Sequence, residues 1–148
     1  GAARSALEFV VSWLDQLPAL NARWHGFGVS EEFRVRAGIA SGYCSLGQWG
    51  RSDVRAYTMI GTCVGLAERL QAVSAEDAMA LCPITARLLL DPLSTGQSVP
   101  TQDRRMPEDF CVQVSEREMR FEGVEQTLKG FAQMRVYRPS DKVRKPPN

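Results

Sequence analysis

Few side chains in this sequence are equipped for chemistry. Cysteines stand at Cys44, Cys63, Cys82 and Cys111, and the single histidine is His25. Thiolates and imidazoles at short spacing would hold zinc, and a Cys-x-x-Cys pair would cycle between dithiol and disulfide. Neither spacing occurs, so these read as reduced thiols and a surface histidine in a cytosolic domain. No nucleophile with its base, and no pair of carboxylates, can be assembled around His25. Gly38, Gly42, Gly47 and Gly50 would suit a phosphate cradle, but no Gly-Lys-Ser/Thr follows them and no helix starts directly after, so they read as hairpin glycines. Trp13, Trp24 and Trp49 lie far apart without repeating basic neighbours, which suits core or dimer-interface roles better than a stacking platform. Taken singly, Arg69 is a helix-surface arginine, Thr58 a solvated or capping residue at a strand end, and Lys129 a turn residue before glycine.

These residues need elements to position them. Residues 5–17 carry Leu7, Val10, Val11, Leu14 and Leu17 at helical spacing, and Pro18 sets an expected end to that amphipathic helix. Phe33, Val35, Ala37 and Ile39 alternate with Arg34, Arg36 and Gly38, the period of a half-buried strand. After Ser41-Gly42 the segment Tyr43 to Leu46 is expected to pair back on that strand, with a loop from Gly47 to Arg55. Leu66, Leu70 and Val73 mark a second helix over 62–73, 78–81 reads as a strand, and Pro83 opens a third helix through Leu90. A polar, proline-containing connection reaches Asp109. Strands are expected at 110–114, 118–121 and 133–137, and the tail from Pro139 should be disordered. The order gives an α+β domain with helices packed on a largely antiparallel sheet.

The chain has 148 residues, 44% hydrophobic and 24% charged, with a formal net charge of +1. That is the composition of one ordinary soluble domain, able to bury about 70% of its unfolded surface without disulfide or metal staples. No apolar run approaches the roughly 18 residues of a membrane span, and no secretion signal opens the chain. A cytoplasmic location is the expectation. Near-neutral charge offers no footprint for nucleic acid.

The block from 35 to 70 resembles the class III adenylate and guanylate cyclases. It does so through Gly38-Ile39-Ala40-Ser41-Gly42, Gly47, Arg55, Tyr57-Thr58-Met59-Ile60-Gly61 and the stretch Val64 to Leu70. Leu128-Lys129-Gly130 followed by Val136-Tyr137 is similar to that family's final motif. The resemblance implies a ferredoxin-like α+β catalytic domain over residues 1–138, incomplete at its front, followed by a tail over 139–148. It implies a head-to-tail homodimer, or pairing with another cyclase domain, that converts ATP to cyclic AMP and pyrophosphate in cyclic-nucleotide signalling. By position, Arg69 is the transition-state arginine, Thr58 reads the purine with a lean to ATP over GTP, and Lys129 holds the triphosphate. An arginine fork suits the charge that gathers on the α-phosphate.

Two departures qualify the resemblance. The family's transition-state asparagine would lie one helical turn before Arg69, where this chain has Gly65. Losing one positioned donor typically costs about 10²- to 10³-fold in rate. The family's two metal-binding aspartates, which hold magnesium or manganese, and its purine-contacting lysine belong to elements upstream of Gly1. Asp15, Asp53 and Asp77 stand in none of the corresponding motif contexts, so no metal ligand is assigned. Thr62, following the Ile-Gly pair, suits a helix cap. The alternative reading is a degenerate cyclase-homology domain acting as a regulatory dimerisation or nucleotide-binding module.

Overall fold

The computed structural model describes residues 1–51, 54–90, 106–141 and 143. Helix α1 (Ala2–Gly26) opens the chain. Strand β1 (Arg36–Ile39), strands β2 (Ser45–Arg51) and β3 (Val54–Ile60), and helix α2 (Thr62–Val73) follow. Strand β4 (Ala78–Leu81), helix α3 (Pro83–Leu90), and strands β5 (Asp109–Val114), β6 (Arg117–Gln126) and β7 (Met134–Pro139) complete it. Five strands form one sheet in the order β1-β4-β7-β6-β5, and β2 with β3 forms a separate two-stranded sheet. Only β1 and β4 run parallel within the larger sheet, so it is largely antiparallel, as expected.

Alternation along the strands divides the core between the two faces of that sheet. Met79, Leu81, Phe110, Val112, Phe121 and Tyr137 point to one face, where Leu7, Val11 and Leu14 of α1 and Ala86 and Leu89 of α3 cover them. Ala80 and Val136 point to the other, with Leu70 of α2, Cys82 and Leu128. Gly38 is what lets α2 lie against β1, because a Cβ there would overlap the carbonyl oxygen of Ala67. Asp77 fixes the entry to β4 in the left-handed region, at φ 54. Its N–H donates to Val35 O at 2.6 Å, and its carboxylate accepts from Val35 N at 3.2 Å and from Arg34 at 2.7 Å.

Several expectations change. Pro18 lies inside α1 and does not end it. A helical proline removes one hydrogen bond at a cost of about 3 kcal/mol, but Leu14, Leu17 and Asn21 are buried on either side of it. Asn21 also exchanges two hydrogen bonds with the backbone of Phe33, at 2.9 and 3.2 Å, which ties the last turns to the chain entering β1. Residues 43–46 do not pair with β1, whose neighbour is β4. They lead into a hairpin in which Leu46 opposes Met59 and Gly47 opposes Thr58, so Gly47 and Gly50 are strand residues and not loop punctuation. Of the core or dimer-interface roles expected for the tryptophans, exposure of Trp13 and Trp24 removes the core one, while His25 is exposed as expected. Pro139 ends β7, the Ser140 N–H donates to Arg120 O, and Val143 is buried, so the expected disordered tail does not begin at 139. Residues 142 and 144–148, and the polar connection over 91–105, lie outside the described residues.

Candidate functional site

Helix α2 carries the residue on which the cyclase resemblance leans most. Its start is set by a close backbone approach at Gly61, where a Cβ would stand 2.7 Å from Tyr43 O. Gly61 is therefore the N-cap, and Thr62 is the first helical residue and caps nothing, contrary to expectation. Four residues apart, Gly65 and Arg69 share one face of the helix. Arg69 is half-exposed, and its described ion pair is with the adjacent Glu68 at 3.8 Å, a weak hold for a surface pair. The guanidinium has freedom to meet a ligand.

A second element reaches the same face. Leu128 is buried beside Leu70 and Val136, and Lys129-Gly130 turns the chain back with Gly130 at φ 83, a left-handed geometry suited to glycine. Phe131 closes the turn by donating its N–H to Leu128 O at 2.9 Å. Its ring is the nearest atom group to a Cβ built on Gly65, at 4.0 Å, so an ordinary side chain would fit there. Lys129 is exposed on this turn. The structure thus brings the Lys129 turn onto α2, the helix that holds Arg69. Thr58 is exposed on β3 of the hairpin, whereas Arg69 stands on α2 and Lys129 in the turn between β6 and β7. Sequence reading missed Phe131, whose signal was its place directly after a Lys-Gly turn.

Behind the start of α2 lies a cavity of about 840 Å³ lined in part by Ile39, Ser41, Cys44, Met59, Cys63 and Leu88. Ser41 meets Thr85 at 2.9 Å, and the Thr85 hydroxyl donates to Ile39 O at 3.3 Å, joining the end of β1 to α3. Asp15 pairs with Arg117 at 3.1 Å and Asp77 serves the β4 turn. Asp53 lies outside the described residues. Among the described residues no group of three or more carboxylates, thiols or imidazoles is placed to hold a metal ion. Burial pushes the Tyr137 phenol up from its ordinary value, and the hydrogen bond to Asp77 raises the Arg34 guanidinium.

No family model and no curated protein sequence matches the chain. Solved structures do. The adenylyl cyclase CyaB from P. aeruginosa overlaps it with a TM-score of 0.69 at 24% identity, covering 94% of this chain and 59% of that one. The guanylate cyclase domain of RhGC from Catenaria anguillulae overlaps with a TM-score of 0.49 at 15% identity, covering 76% of this chain and 47% of that one. The chain has the fold of a class III nucleotidyl cyclase domain. It spans less than two thirds of the length of either cyclase chain. Among the described residues no helix is long and apolar enough to cross a membrane.

Proposed function

We propose that this chain works as part of a class III nucleotidyl cyclase that converts ATP to cyclic AMP and pyrophosphate. In this reading the 3′ oxygen of the ribose attacks the α-phosphorus, the bond to the bridging oxygen breaks, pyrophosphate leaves, and the hydroxyl proton passes to a base. Arg69 meets the charge gathering on the α-phosphate oxygens with its two-pronged guanidinium. Lys129 acts on the polyphosphate as a compact positive charge, and Thr58 contacts the base through a hydroxyl able to donate or accept. Metal chemistry, two such domains in a dimer, and a cytoplasmic setting belong to the same proposal. The observation that carries the reading is the overlap with an adenylyl cyclase over 94% of the chain.

Gly65 favours a second reading. With no side chain where the family places a donor, the chain would bind nucleotide or dimerise without turning it over well. The test is cyclic nucleotide production from ATP and from GTP with manganese, by the purified chain at high concentration and by its Arg69→Ala variant, with products separated by chromatography. Cyclic AMP that disappears in the variant supports the enzyme. No product, together with nucleotide binding that weakens in Lys129→Ala, supports the binding module.

A further inference from the structure

We propose that Cys44 and Cys63 form a peroxide-sensitive dithiol that closes into an intramolecular disulfide across the base of the β2–β3 hairpin. The ladder of that hairpin pairs Ser45 with Ile60, and one step further Cys44 stands opposite Gly61. The two backbones touch there: a Cβ on Gly61 would lie 3.0 Å from Cys44 Cα, and a Cβ on Gly42 would lie 2.9 Å from Cys63 Cβ. Glycine at both positions lets these segments approach more closely than side chains would allow. Cys63 follows two residues after Gly61, in the first turn of α2, and its thiol donates to the carbonyl oxygen of Tyr43, the residue joined to Cys44, at 3.5 Å.

A disulfide needs its two Cα atoms roughly 4.4–6.8 Å apart. The chain enters helix α2 at Thr62, and the shorter rise of a helix draws residue 63 back toward residue 61. A small closing movement completes the bridge. Both thiols line the same cavity, and Cys44 is exposed to solvent. Cys82 is buried against Thr85 and Cys111 lies on β5, so neither competes. The Cys44 thiolate attacks a peroxide O–O bond, giving a sulfenic acid and releasing water or an alcohol. The Cys63 thiol then attacks that sulfur and expels water, so two thiols are oxidised as one peroxide is reduced. The bridge ties the hairpin to the helix that holds Arg69.

The test is treatment of the purified reduced chain with hydrogen peroxide, then alkylation in denaturant and tryptic mass spectrometry. Cleavage after Arg36, Arg51, Arg55 and Arg69 puts the two cysteines on separate peptides, 37–51 and 56–69. The expected result is a linked pair of these peptides in a monomeric chain, reversed by dithiothreitol, lost in Cys44→Ser and in Cys63→Ser, and kept in Cys111→Ser. The oxidised chain should also melt at higher temperature than the reduced one. Overturning results are both peptides alkylated separately, a link to Cys111, or a bond between two chains.

Discussion

The five-stranded sheet and the β2–β3 hairpin use the same kinds of residue to opposite ends. In the sheet, Phe110 stacks on Phe121 with ring centroids 5.3 Å apart and meets Tyr137 edge-on at 5.2 Å, all under the apolar stripe of α1. In the hairpin, Leu46 and Tyr57 are on the same face and are 59% and 69% exposed. Both regions have regular pairing, so pairing alone does not make a core. What differs is a helix laid over the sheet, while the hairpin face at Leu46 and Tyr57 is left exposed. Apolar surface kept exposed on a paired ribbon is surface available to another molecule. In the dimer reading that molecule is a second cyclase domain.

The largest effect expected from this difference is in the sheet. Phe121→Ala removes a fully buried ring whose direct cross-strand partner is Phe110, and should cost about 3–5 kcal/mol in urea unfolding. A loss no larger than that of an exposed hairpin residue would break the distinction. Tyr137→Phe should cost about 1 kcal/mol, because it removes the hydroxyl that donates to Pro107 O at 2.8 Å. It also carries a pH signature. Burial raises the Tyr137 phenol above its ordinary value of 10.0, so the unfolded chain ionises there first. The contribution is intact below about pH 10 and is lost as pH rises through the raised value. Unfolding at stepped alkaline pH should show a steeper fall for the native chain than for Tyr137→Phe.

Legibility from sequence follows the same division. Helices α2 and α3 and strand β4 match their expected limits because each is bounded by local signals, Gly61 and Pro83 among them, and packs the stripe that its periodicity announces. Helix α1 ran past Pro18 because buried Leu17 and Asn21 outweigh one lost hydrogen bond, a tertiary effect that local rules do not carry. The hairpin is not legible in the sequence, because its strands hold glycines and its apolar residues are not buried, so neither turn chemistry nor a core pattern marks it. At the candidate site, the shared face of Gly65 and Arg69 was legible from spacing alone. The packing of Phe131 over Gly65 was not, since it joins residues far apart in sequence through a left-handed turn.

Hairpin substitutions should separate folding from association. Leu46→Ser and Tyr57→Ser should each change unfolding free energy by at most about 0.5 kcal/mol, the range of surface changes. If the exposed ribbon face joins two copies, the same variants should shift sedimentation toward monomer. A stability loss matching that of Phe121→Ala would mean that the face is covered within the chain itself.

The smallest stability change is expected at Gly65, where it sharpens the functional question most. Glycine within a helix costs up to about 1 kcal/mol relative to alanine, and asparagine is only somewhat better, so Gly65→Asn should gain a few tenths of a kcal/mol. No clash offsets that gain, because a Cβ meets only the Phe131 ring at 4.0 Å. The asparagine would stand one turn before Arg69, where a donor can share the charge of the α-phosphate. If the chain is an enzyme slowed by a missing donor, cyclic AMP formation should rise by about 10²- to 10³-fold at nearly unchanged stability. Unaltered turnover in a stable Gly65→Asn variant would place the deficit outside α2 and favour the binding-module reading. Calorimetric unfolding beside the product assay separates these outcomes, since a variant that loses stability reports on packing against Phe131 and not on the missing donor.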